Sequence, residues 1–356
     1  MPVYKNETTG AWDVQCYYRN YDGSLKHKVK RGFDTKTEAL EWEANFIASA
    51  SDNLDMTFAS FLDKYAEDVT PKIRLNTWMT KKHIIETKIL PTFGHKKMCD
   101  ITSRDVIRWQ NALIEDEDAD YSQTYLKTIN NQLTAIFNHA VRYYGLLRSP
   151  CAAVKSMGKK DPETEMQFWT KDEYLSFANE AMSKPYTYHA FEMLYWCGIR
   201  CGELLALTPA DFNFKTGILS IDKSYQRISG QDIITEPKTP KSKRKIMMPK
   251  FLIEEMEEYL STMVDLREND RIFSFTKHAL NHEMKRCSAI AGVKKIRIHD
   301  LRHSHVSMLI DMGFTPLAIA DRLGHESIEI TYRYAHLFPN TQADIANALN
   351  NQKGVF

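Results

Sequence analysis

The sequence contains no long apolar run and no cysteine-pairing pattern, and each absence excludes a class of protein. No stretch approaches the ~18 consecutive apolar residues that a membrane-spanning helix needs, and residues 1–5 are polar, unlike the apolar core of a signal peptide. None of the six cysteines forms a CxxC pair, which indicates reduced thiols and argues against a structural zinc site. We therefore expect a cytoplasmic protein, in the cytosol or at the nucleoid, with no membrane segment.

The sequence also has little net charge, which on its own argues weakly against a nucleic-acid partner. The formal net charge is +1, whereas nucleic-acid-binding domains are usually basic. The charges are unevenly distributed, because residues 26–31 and 238–250 are basic runs and residues 115–118 form an acidic run that offsets them. A neutral total can therefore conceal a basic groove, and DNA is not excluded as a partner.

Signatures of nucleotide and metal binding are missing as well. There is no P-loop and no carboxylate cluster suited to two magnesium ions. His299 and His303 have the spacing of a zinc-binding pair, but no glutamate follows His299 as the metalloprotease pattern requires. We expect no cofactor and no metal.

What is present predicts a mainly helical α+β protein with small β elements. The composition, 43% hydrophobic and 26% charged over 356 residues, is that of a soluble chain with two or three domains. Residues 12–19 alternate like a strand, residues 21–24 have hairpin chemistry, and residues 26–33 form the returning strand. A capping box at 35–38 then opens a helix. The basic returning strand can lie in a DNA groove, or it can be an ordinary solvated hairpin face.

The next hundred residues show only helical periodicity. One helix starts at Thr57, a second spans 77–90 and stops before the PTFG sequence at 91–94, a third is capped by Thr102, and a fourth spans 122–144. Gly and Pro residues mark a linker after this bundle, and Thr170 with Glu173 caps the first helix of a larger mixed domain. The predicted boundaries are 1–52 for the β unit, 53–155 for the bundle, 156–168 for the linker, 169–340 for the larger domain and 341–356 for the C-terminal tail.

Two features early in the larger domain place basic residues at turns. Residues 197–204 read CGIRCGEL, so that an apolar helix ends at a glycine and Arg200 lies at the turn before the next helix. A guanidinium there can grip a phosphate with two hydrogen bonds. Further on, Lys238 begins a basic segment between strands at 217–221 and 246–249, which we interpret as a β-hairpin with a basic turn. Each feature alone is also typical of an exposed surface.

Two further features follow in the last hundred residues. In the sequence HDLRH, His299 and Arg302 lie one helical turn apart and can point at one target. A helix at 316–323 ends at a glycine, presents His325 at its C-terminal edge, and is followed nine residues later by Tyr334. A lone tyrosine in such a position most often packs in a core or an interface.

The order and context of these residues resemble the tyrosine recombinase family, the lambda-type phage integrases and their relatives. The resemblance rests on Arg200 in GIRCGEL, Lys238 on the hairpin, the HDLR box, LGH and YAH. It implies that the bundle is a core-site-binding domain, that residues 1–52 are an arm-site-binding domain and that the larger domain is catalytic. The six positions at which the family carries catalytic residues hold the expected residue types: Arg200, Lys238, His299, Arg302, His325 and Tyr334.

The resemblance also implies a role for each residue. Tyr334 is the nucleophile that forms a 3′-phosphotyrosine, and His299 is its general base. The two arginines neutralise the phosphate, His325 hydrogen-bonds it, and Lys238 protonates the leaving 5′ oxygen. Tyr332 competes weakly for the role of nucleophile, Lys241 and Lys243 compete for that of the acid, and we expect His303 to support the packing of the site.

The function expected from the resemblance is integration, and excision, of a phage or other mobile element into a host chromosome. The implied partners are double-stranded DNA, further copies of the chain in a DNA-bound tetramer, and an excisionase or host DNA-bending protein. A chromosome-dimer resolvase of the same family, a type IB topoisomerase and a catalytically inactive DNA-binding regulator are the alternatives. The N-terminal unit argues against the first two and the complete residue set against the third. The patterned tail can pack on its own chain or on a neighbouring one.

Overall fold

The computed structural model describes residues 3–19, 25–50, 54–159, 166–237 and 239–332, together with residues 334, 346, 349 and 350. The chain divides into two compact units, Met1–Pro162 and Glu163–Phe356. Within the described ranges, no helix is both long enough and apolar enough to cross a membrane. All six cysteines are free thiols.

The first unit begins with an antiparallel sheet covered on one face by a helix. Alternation along the middle strand buries Val14 and Cys16 toward the helix and leaves Tyr17 exposed on the open face. The predicted strands and the helix after the capping box are confirmed, and Thr35 Oγ1 accepts the amide hydrogen of Glu38 at 3.2 Å. The predicted hairpin residues, 21–24, lie outside the described residues. The elements are β1 (Val3–Lys5), β2 (Trp12–Arg19), β3 (Leu25–Phe33) and α1 (Lys36–Ala50), with sheet order β1-β2-β3.

The rest of the first unit is helical. The predicted helix starts at Thr57, Thr102 and Ser122 are confirmed, since each of these hydroxyls accepts a backbone amide hydrogen three residues ahead, at 3.1–3.3 Å. The apolar faces of the helices bury a core that includes Phe58 and Phe137. The helices are α2 (Phe58–Val69), α3 (Leu75–Ile84), α4 (Leu90–Phe93), α5 (Ser103–Ile114) and α6 (Gln123–Tyr143).

The prediction that the second helix stops before Pro91 is wrong. The chain remains helical from α3 through a π-helical stretch, Ile85–Ile89, into α4, and ends at Gly94. Proline lacks an amide hydrogen and its ring clashes with the carbonyl four residues back in a regular α-helix. Here the amide of Leu90 bonds to the carbonyl of Ile85, five residues back, and this wider turn accommodates Pro91.

The second unit has a mixed core that buries large aromatic side chains such as Tyr174 and Phe191. The predicted capping box at its start is confirmed, with Thr170 and Glu173 reciprocally bonded. Its helices are α7 (Lys171–Ala181), α8 (Pro185–Cys197), α9 (Cys201–Leu204), α10 (Lys250–Ser261), α11 (Lys277–Ile290), α12 (Asp300–Asp311), α13 (Pro316–Leu323) and α14 (Glu329–Tyr332). Its strands are β4 (Phe212–Asn213), β5 (Ile218–Ile221), β6 (Ser224–Ile228), β7 (Gln231–Thr235) and β8 (Arg244–Met247).

The basic segment does not form the simple hairpin that we predicted. Strands β5 and β8 do pair, antiparallel, in a sheet of order β4-β5-β8. A separate two-stranded hairpin, β6-β7, is inserted between them. Lys241 and Lys243 therefore lie in the connection from β7 to β8, which includes the 3₁₀ turn Pro240–Ser242, whereas Arg244 and Lys245 belong to β8. The inserted strands were missed because their polar sequence has little apolar alternation.

Candidate active site

Arg302 lies where three helices of the second unit meet. It belongs to the first turn of α12 and is 4% exposed. Its Nη1 donates to the carbonyl oxygen of Gly198 at 2.7 Å, and its Nη2 donates to that of Leu323 at 2.8 Å. Both acceptors are at the C-terminal ends of helices, α8 and α13, where the peptide dipoles leave partial negative charge. The guanidinium is thus fixed in position by two helix ends.

Glycines let these two helices end so close to the site. Gly198 and Gly324 cap α8 and α13 with φ of 63° and 66°, in the left-handed region. At Gly324 a Cβ atom would lie 2.7 Å from the carbonyl oxygen of Lys241 and 2.8 Å from Cδ of Arg244. The turn that carries His325 therefore packs directly on the basic segment, and only glycine fits there.

Arg200 is held by a carboxylate that the sequence interpretation did not single out. Its backbone amide and its Nη1 donate to Glu203 at 2.9 and 2.8 Å, at the N-terminus of α9. The same carboxylate accepts two bonds from Arg244 of β8, at 3.1 and 2.9 Å. Glu203 thereby joins the α8–α9 turn to the sheet, and Arg200 keeps its side chain partly exposed.

The charges of Arg200, Glu203 and their neighbours favour the binding of an anion. Burial alone would raise the pKa of Glu203, but the hydrogen bonds and charges of Arg244 and Arg200 lower it to about 2. The carboxylate is therefore ionised and can balance only one of its two arginines. Burial and the nearby Arg200 and Arg244 lower the pKa of Arg302, although a guanidinium stays charged at neutral pH. A surplus of positive charge remains at the site.

The two predicted histidines face this charge as neutral groups. Burial, and then the charges of Arg302 and Arg200, lower the pKa of His325 to about 3. The Nδ1 atom of His325 is bonded to Thr331 Oγ1 at 2.9 Å. His299 lies at the start of α12, where partial desolvation of its ring and the charge of Arg302 lower its pKa as well. Neutral imidazoles can donate or accept a hydrogen bond without adding charge.

Tyr334 and Tyr332 lie in different environments. Tyr334 is 3% exposed and packs against Val306, Ile310 and Leu323, with its hydroxyl hydrogen-bonded to Nδ1 of His303. Tyr332, at the end of α14, is 53% exposed. His303, the hydrogen-bond partner of the Tyr334 hydroxyl, directly follows Arg302 on α12.

The structure thus brings together five of the six predicted site residues: Arg200, His299, Arg302, His325 and Tyr334. Lys238 lies outside the described residues. Of its two competitors, Lys241 donates to the carbonyl of Glu326, the residue after His325, at 3.1 Å, and Lys243 pairs with Glu236 at 3.1 Å.

Sequence reasoning missed Glu203, Arg244 and the bond made by His303. The sequence did contain a signal for the contact of Glu203 with Arg200, because this acidic residue follows Arg200 by three residues and has apolar neighbours. His303 likewise follows His299 by one helical turn. For Arg244 there was no such signal, because it is one of several cations in a basic run.

Comparison with known families decides the identity of the chain. Residues 167–341 match the phage integrase family, residues 57–114 match the phage integrase N-terminal SAM-like domain, and residues 2–50 match an arm DNA-binding domain. The chain belongs to the phage integrase family. It is a tyrosine recombinase, an enzyme that acts on DNA.

Relatives and solved structures agree with this assignment. The ICEBs1 integrase of Bacillus subtilis is 29% identical over 89% of this chain and 90% of its own length. The fold of this tyrosine recombinase is similar to that of the Tn1549 transposon integrase bound to circular intermediate DNA, with a TM-score of 0.65 and 20% identity over 83% of this chain and 99% of that one. It is also similar to a lambda integrase dimer bound to a COC′ core site, with a TM-score of 0.60 and 18% identity over 94% of each chain. The predicted fold class is thereby confirmed.

Proposed function

We propose that this tyrosine recombinase integrates a phage or conjugative element into a host chromosome, and excises it, through a covalent bond between Tyr334 and a 3′ phosphate. The observation that carries the proposal is the convergence of two arginines, two neutral histidines and a tyrosine on one small region of the second unit. A surplus of positive charge at this region suits a phosphodiester, which is anionic before the reaction and gains charge during it.

Each group then has a defined chemical task. Arg200 and Arg302 bind the non-bridging oxygens of the phosphate, and loss of one such donor typically costs about 2.7–4 kcal/mol of transition-state stabilisation. His325 hydrogen-bonds the same phosphate. The phenol of Tyr334, with an unperturbed pKa of ~10, needs a base, and the family resemblance assigns that base to His299. Lys238 protonates the leaving 5′ oxygen.

The products keep the energy of the phosphodiester in the tyrosyl phosphate, so that resealing requires no nucleotide. Attack of the phenol oxygen breaks the bond from phosphorus to the 5′ oxygen. Attack by a 5′ hydroxyl from another strand reverses the step and releases the phenol. Strand exchange therefore conserves the number of phosphodiester bonds.

The N-terminal β unit, residues 1–52, favours integration over chromosome-dimer resolution as the function. An arm-binding module can hold a second DNA segment while the rest of the chain occupies the core site, and relatives such as the ICEBs1 integrase span nearly the whole chain. We accordingly assign arm binding to 1–52, core binding to 53–155, a linker to 156–168, catalysis to 169–340 and a tail to 341–356.

The assembly that we propose is a homo-tetramer on DNA, working in the bacterial cytoplasm with an excisionase or a host DNA-bending protein. Exchange of two duplexes requires four cleavages, and one active site per protomer provides them. A lambda integrase tetramer bound to a Holliday junction, which shares this fold, supports the stoichiometry. The tail falls almost entirely outside the described residues.

The decisive experiment is a covalent-trapping assay. A nicked suicide duplex carrying the junction of the circularised element is incubated with the protein and resolved on a denaturing gel. We expect a protein–DNA adduct with the wild type and with Tyr332→Phe, and none with Tyr334→Phe, which preserves the packing of the ring but has no nucleophile. We also expect adduct formation to persist in EDTA, since phosphate charge is neutralised by guanidinium groups.

Two outcomes contradict the proposal. An adduct that persists in Tyr334→Phe and disappears in Tyr332→Phe would transfer the nucleophile to the exposed tyrosine. Strict dependence of cleavage on a divalent metal would eliminate the mechanism.

A further inference from the structure

His303 is hydrogen-bonded to the hydroxyl of Tyr334. The contact is made by Nδ1, and the two rings are tilted with centroids 5.6 Å apart. His303 lies on α12 one residue after Arg302 and one turn after His299, whose ring meets it edge-on at 5.2 Å. The imidazole is therefore in contact with the atom that attacks phosphorus and is adjacent to the arginine that binds the phosphate.

We propose that His303, rather than His299, accepts the proton of Tyr334 during DNA cleavage and returns it during resealing. The inference rests on the proposed function, because it concerns the same nucleophile. It changes the assignment of the base and adds a seventh residue to the predicted catalytic set.

Asp300 favours the tautomer of His303 that this task requires. To accept the phenol proton at Nδ1, the neutral imidazole must carry its own proton on Nε2. Nε2 lies 3.8 Å from Oδ1 of the buried Asp300, too long for a hydrogen bond but close enough for the carboxylate to favour a proton on that side. Asp300 is itself fixed by Arg297, whose Nε and Nη2 donate to it at 3.0 and 2.8 Å. Asp300 therefore acts on the imidazole through its charge and not through a hydrogen bond.

The charges around His303 explain why it is neutral before the reaction. Burial, followed by the neighbouring His299 and the charges of Arg297 and Arg302, lowers its pKa to about 4, while Asp300 acts in the opposite direction. A phosphodiester bound at Arg302 adds negative charge, which offsets the cations and makes the imidazole a stronger base when substrate is present. The group is thus available as an acceptor at neutral pH.

Every proton transferred during DNA cleavage is returned during resealing. In cleavage, the phenol proton moves to Nδ1, the phenol oxygen bonds to phosphorus, and the 5′ oxygen leaves with a proton from the general acid. In resealing, the 5′ hydroxyl loses its proton to that acid's conjugate base, and the departing phenolate regains its proton from Nδ1 of His303. Asp300 keeps its charge throughout and stabilises the imidazolium.

The test measures single-turnover cleavage of the nicked suicide duplex by wild type, His303→Ala and His299→Ala. An exposed histidine on α11, His282, supplies the matched control His282→Ala. We expect His303→Ala to lower the cleavage rate by about 10²- to 10⁴-fold, the usual contribution of a general base, with DNA binding in a gel-shift assay unchanged. The loss with His299→Ala should be smaller, and His282→Ala should match the wild type.

Two further measurements separate a base from a purely structural residue. Replacing Tyr334 by a fluorinated tyrosine, whose phenol is more acidic, should restore much of the cleavage lost in His303→Ala. A 5′-bridging phosphorothiolate substrate, whose leaving group needs no acid, should restore Lys238→Ala but not His303→Ala. In case His303→Ala folds poorly, His303→Asn serves instead, because its side-chain oxygen can take the place of Nδ1 as an acceptor but not as a base.

The proposal is overturned if His303→Ala cleaves at the wild-type rate, if fluorotyrosine gives no recovery, or if the phosphorothiolate substrate restores the variant. These failures are distinct from a failure of the proposed function. An adduct with wild type and none with Tyr334→Phe upholds the nucleophile whatever the His303 variants do.

Discussion

A buried carboxylate, Glu203, determines where Arg200 of the α8–α9 turn points. It accepts bonds from Arg200 and from Arg244, and without it these two guanidinium groups would repel each other. Breaking a buried ion pair by removing one partner leaves the other charge uncompensated, which typically costs about 3–5 kcal/mol. Glu203 therefore supports both the fold of the second unit and the geometry of the phosphate site.

We predict that Glu203→Gln destabilises the protein at neutral pH and that the difference from wild type shrinks in acid. The folded pKa of Glu203 is lowered from 4.5 to about 2. The stability from its ionisation is therefore present above pH about 4.5, is lost as pH falls toward about 2, and amounts to about 3 kcal/mol. Chemical denaturation of both proteins between neutral pH and the acid range measures it.

The control for this experiment is Glu257→Gln, which removes an exposed carboxylate from α10. Surface changes of this kind usually alter stability by about 0.5 kcal/mol or less. If the difference in unfolding free energy between Glu203→Gln and wild type stays constant over the whole pH range, the shape of the side chain, and not its charge, accounts for the loss of stability.

At the level of residues, local patterns in the sequence predicted individual site residues but not the contacts between them. Arg200 and Arg302 lie a hundred residues apart, and their common environment depends on where α8 and α13 end. Local patterns carry information on neighbours along a helix, which is why the turn containing His299 and Arg302 was predictable. The pairing of Glu203 with Arg244 joins distant segments, and periodicity does not encode it.

At the level of elements, the end of α13 shows how a glycine holds two segments in contact. Gly324 and Gly313 both have positive φ, of 66° and 82°. A Cβ at Gly324 would meet Lys241 and Arg244 below 3 Å, whereas a Cβ at Gly313 would have nothing within 4 Å. Substituting each glycine in turn therefore separates the free-energy cost of the left-handed backbone conformation from the cost of the close contact with the basic segment.

We predict that Gly313→Ala lowers the free energy of unfolding by about 1–2 kcal/mol, the usual penalty for a non-glycine residue in the left-handed region. Gly324→Ala should cost more and should also slow cleavage, because the turn carrying His325 must move away from the basic segment. Thermal unfolding and the suicide-substrate assay measure the two effects. Equal costs for both variants, with cleavage unchanged, would contradict the close approach as a determinant of the site.

Helix starts were predictable because a cap is local: Thr57, Thr102 and Thr170 each bond to an amide three residues ahead. The helix through Pro91 was not, since its continuation depends on a π turn that packs against the bundle. The inserted β6-β7 hairpin was also missed. Its cross-strand partners, such as Tyr225 and Ile234, are defined by pairing and not by a turn signature that we recognised.

At the level of the whole molecule, a net charge of +1 conceals an uneven surface. The strand β3 is basic and exposed along its length, but its two faces differ. Lys28 and Lys30 pair with the buried Cys16 and Val14 and so lie on the α1 side, where Lys30 Nζ is 5.1 Å from the ring centre of Trp42. Alternation places His27, Val29 and Arg31 on the open face, where His27 meets Tyr17 at 4.7 Å.

The open face is the surface that we expect to enter the groove of arm-site DNA, because α1 covers the other one. Arg31 on this face has a side chain that is 76% exposed, and its contact with Asp13 is loose, at 4.0 Å. Each phosphate contact made by a cation contributes a slope of about 0.9 to the dependence of log affinity on log salt concentration. Removing one contact should therefore lower the slope by that amount.

We predict that Arg31→Gln weakens binding of the full-length protein to a duplex from the element's ends outside the core site, and lowers the salt slope by about 0.9. Lys28→Gln removes the same charge from the same strand but from the α1 side, and we expect a smaller effect on both quantities. Neither variant should slow cleavage of the core suicide substrate, because the candidate active site lies in the second unit. Equal losses for the two variants would show that β3 acts through its total charge, whereas a larger loss for Lys28→Gln would place the DNA on the side of the sheet that α1 covers.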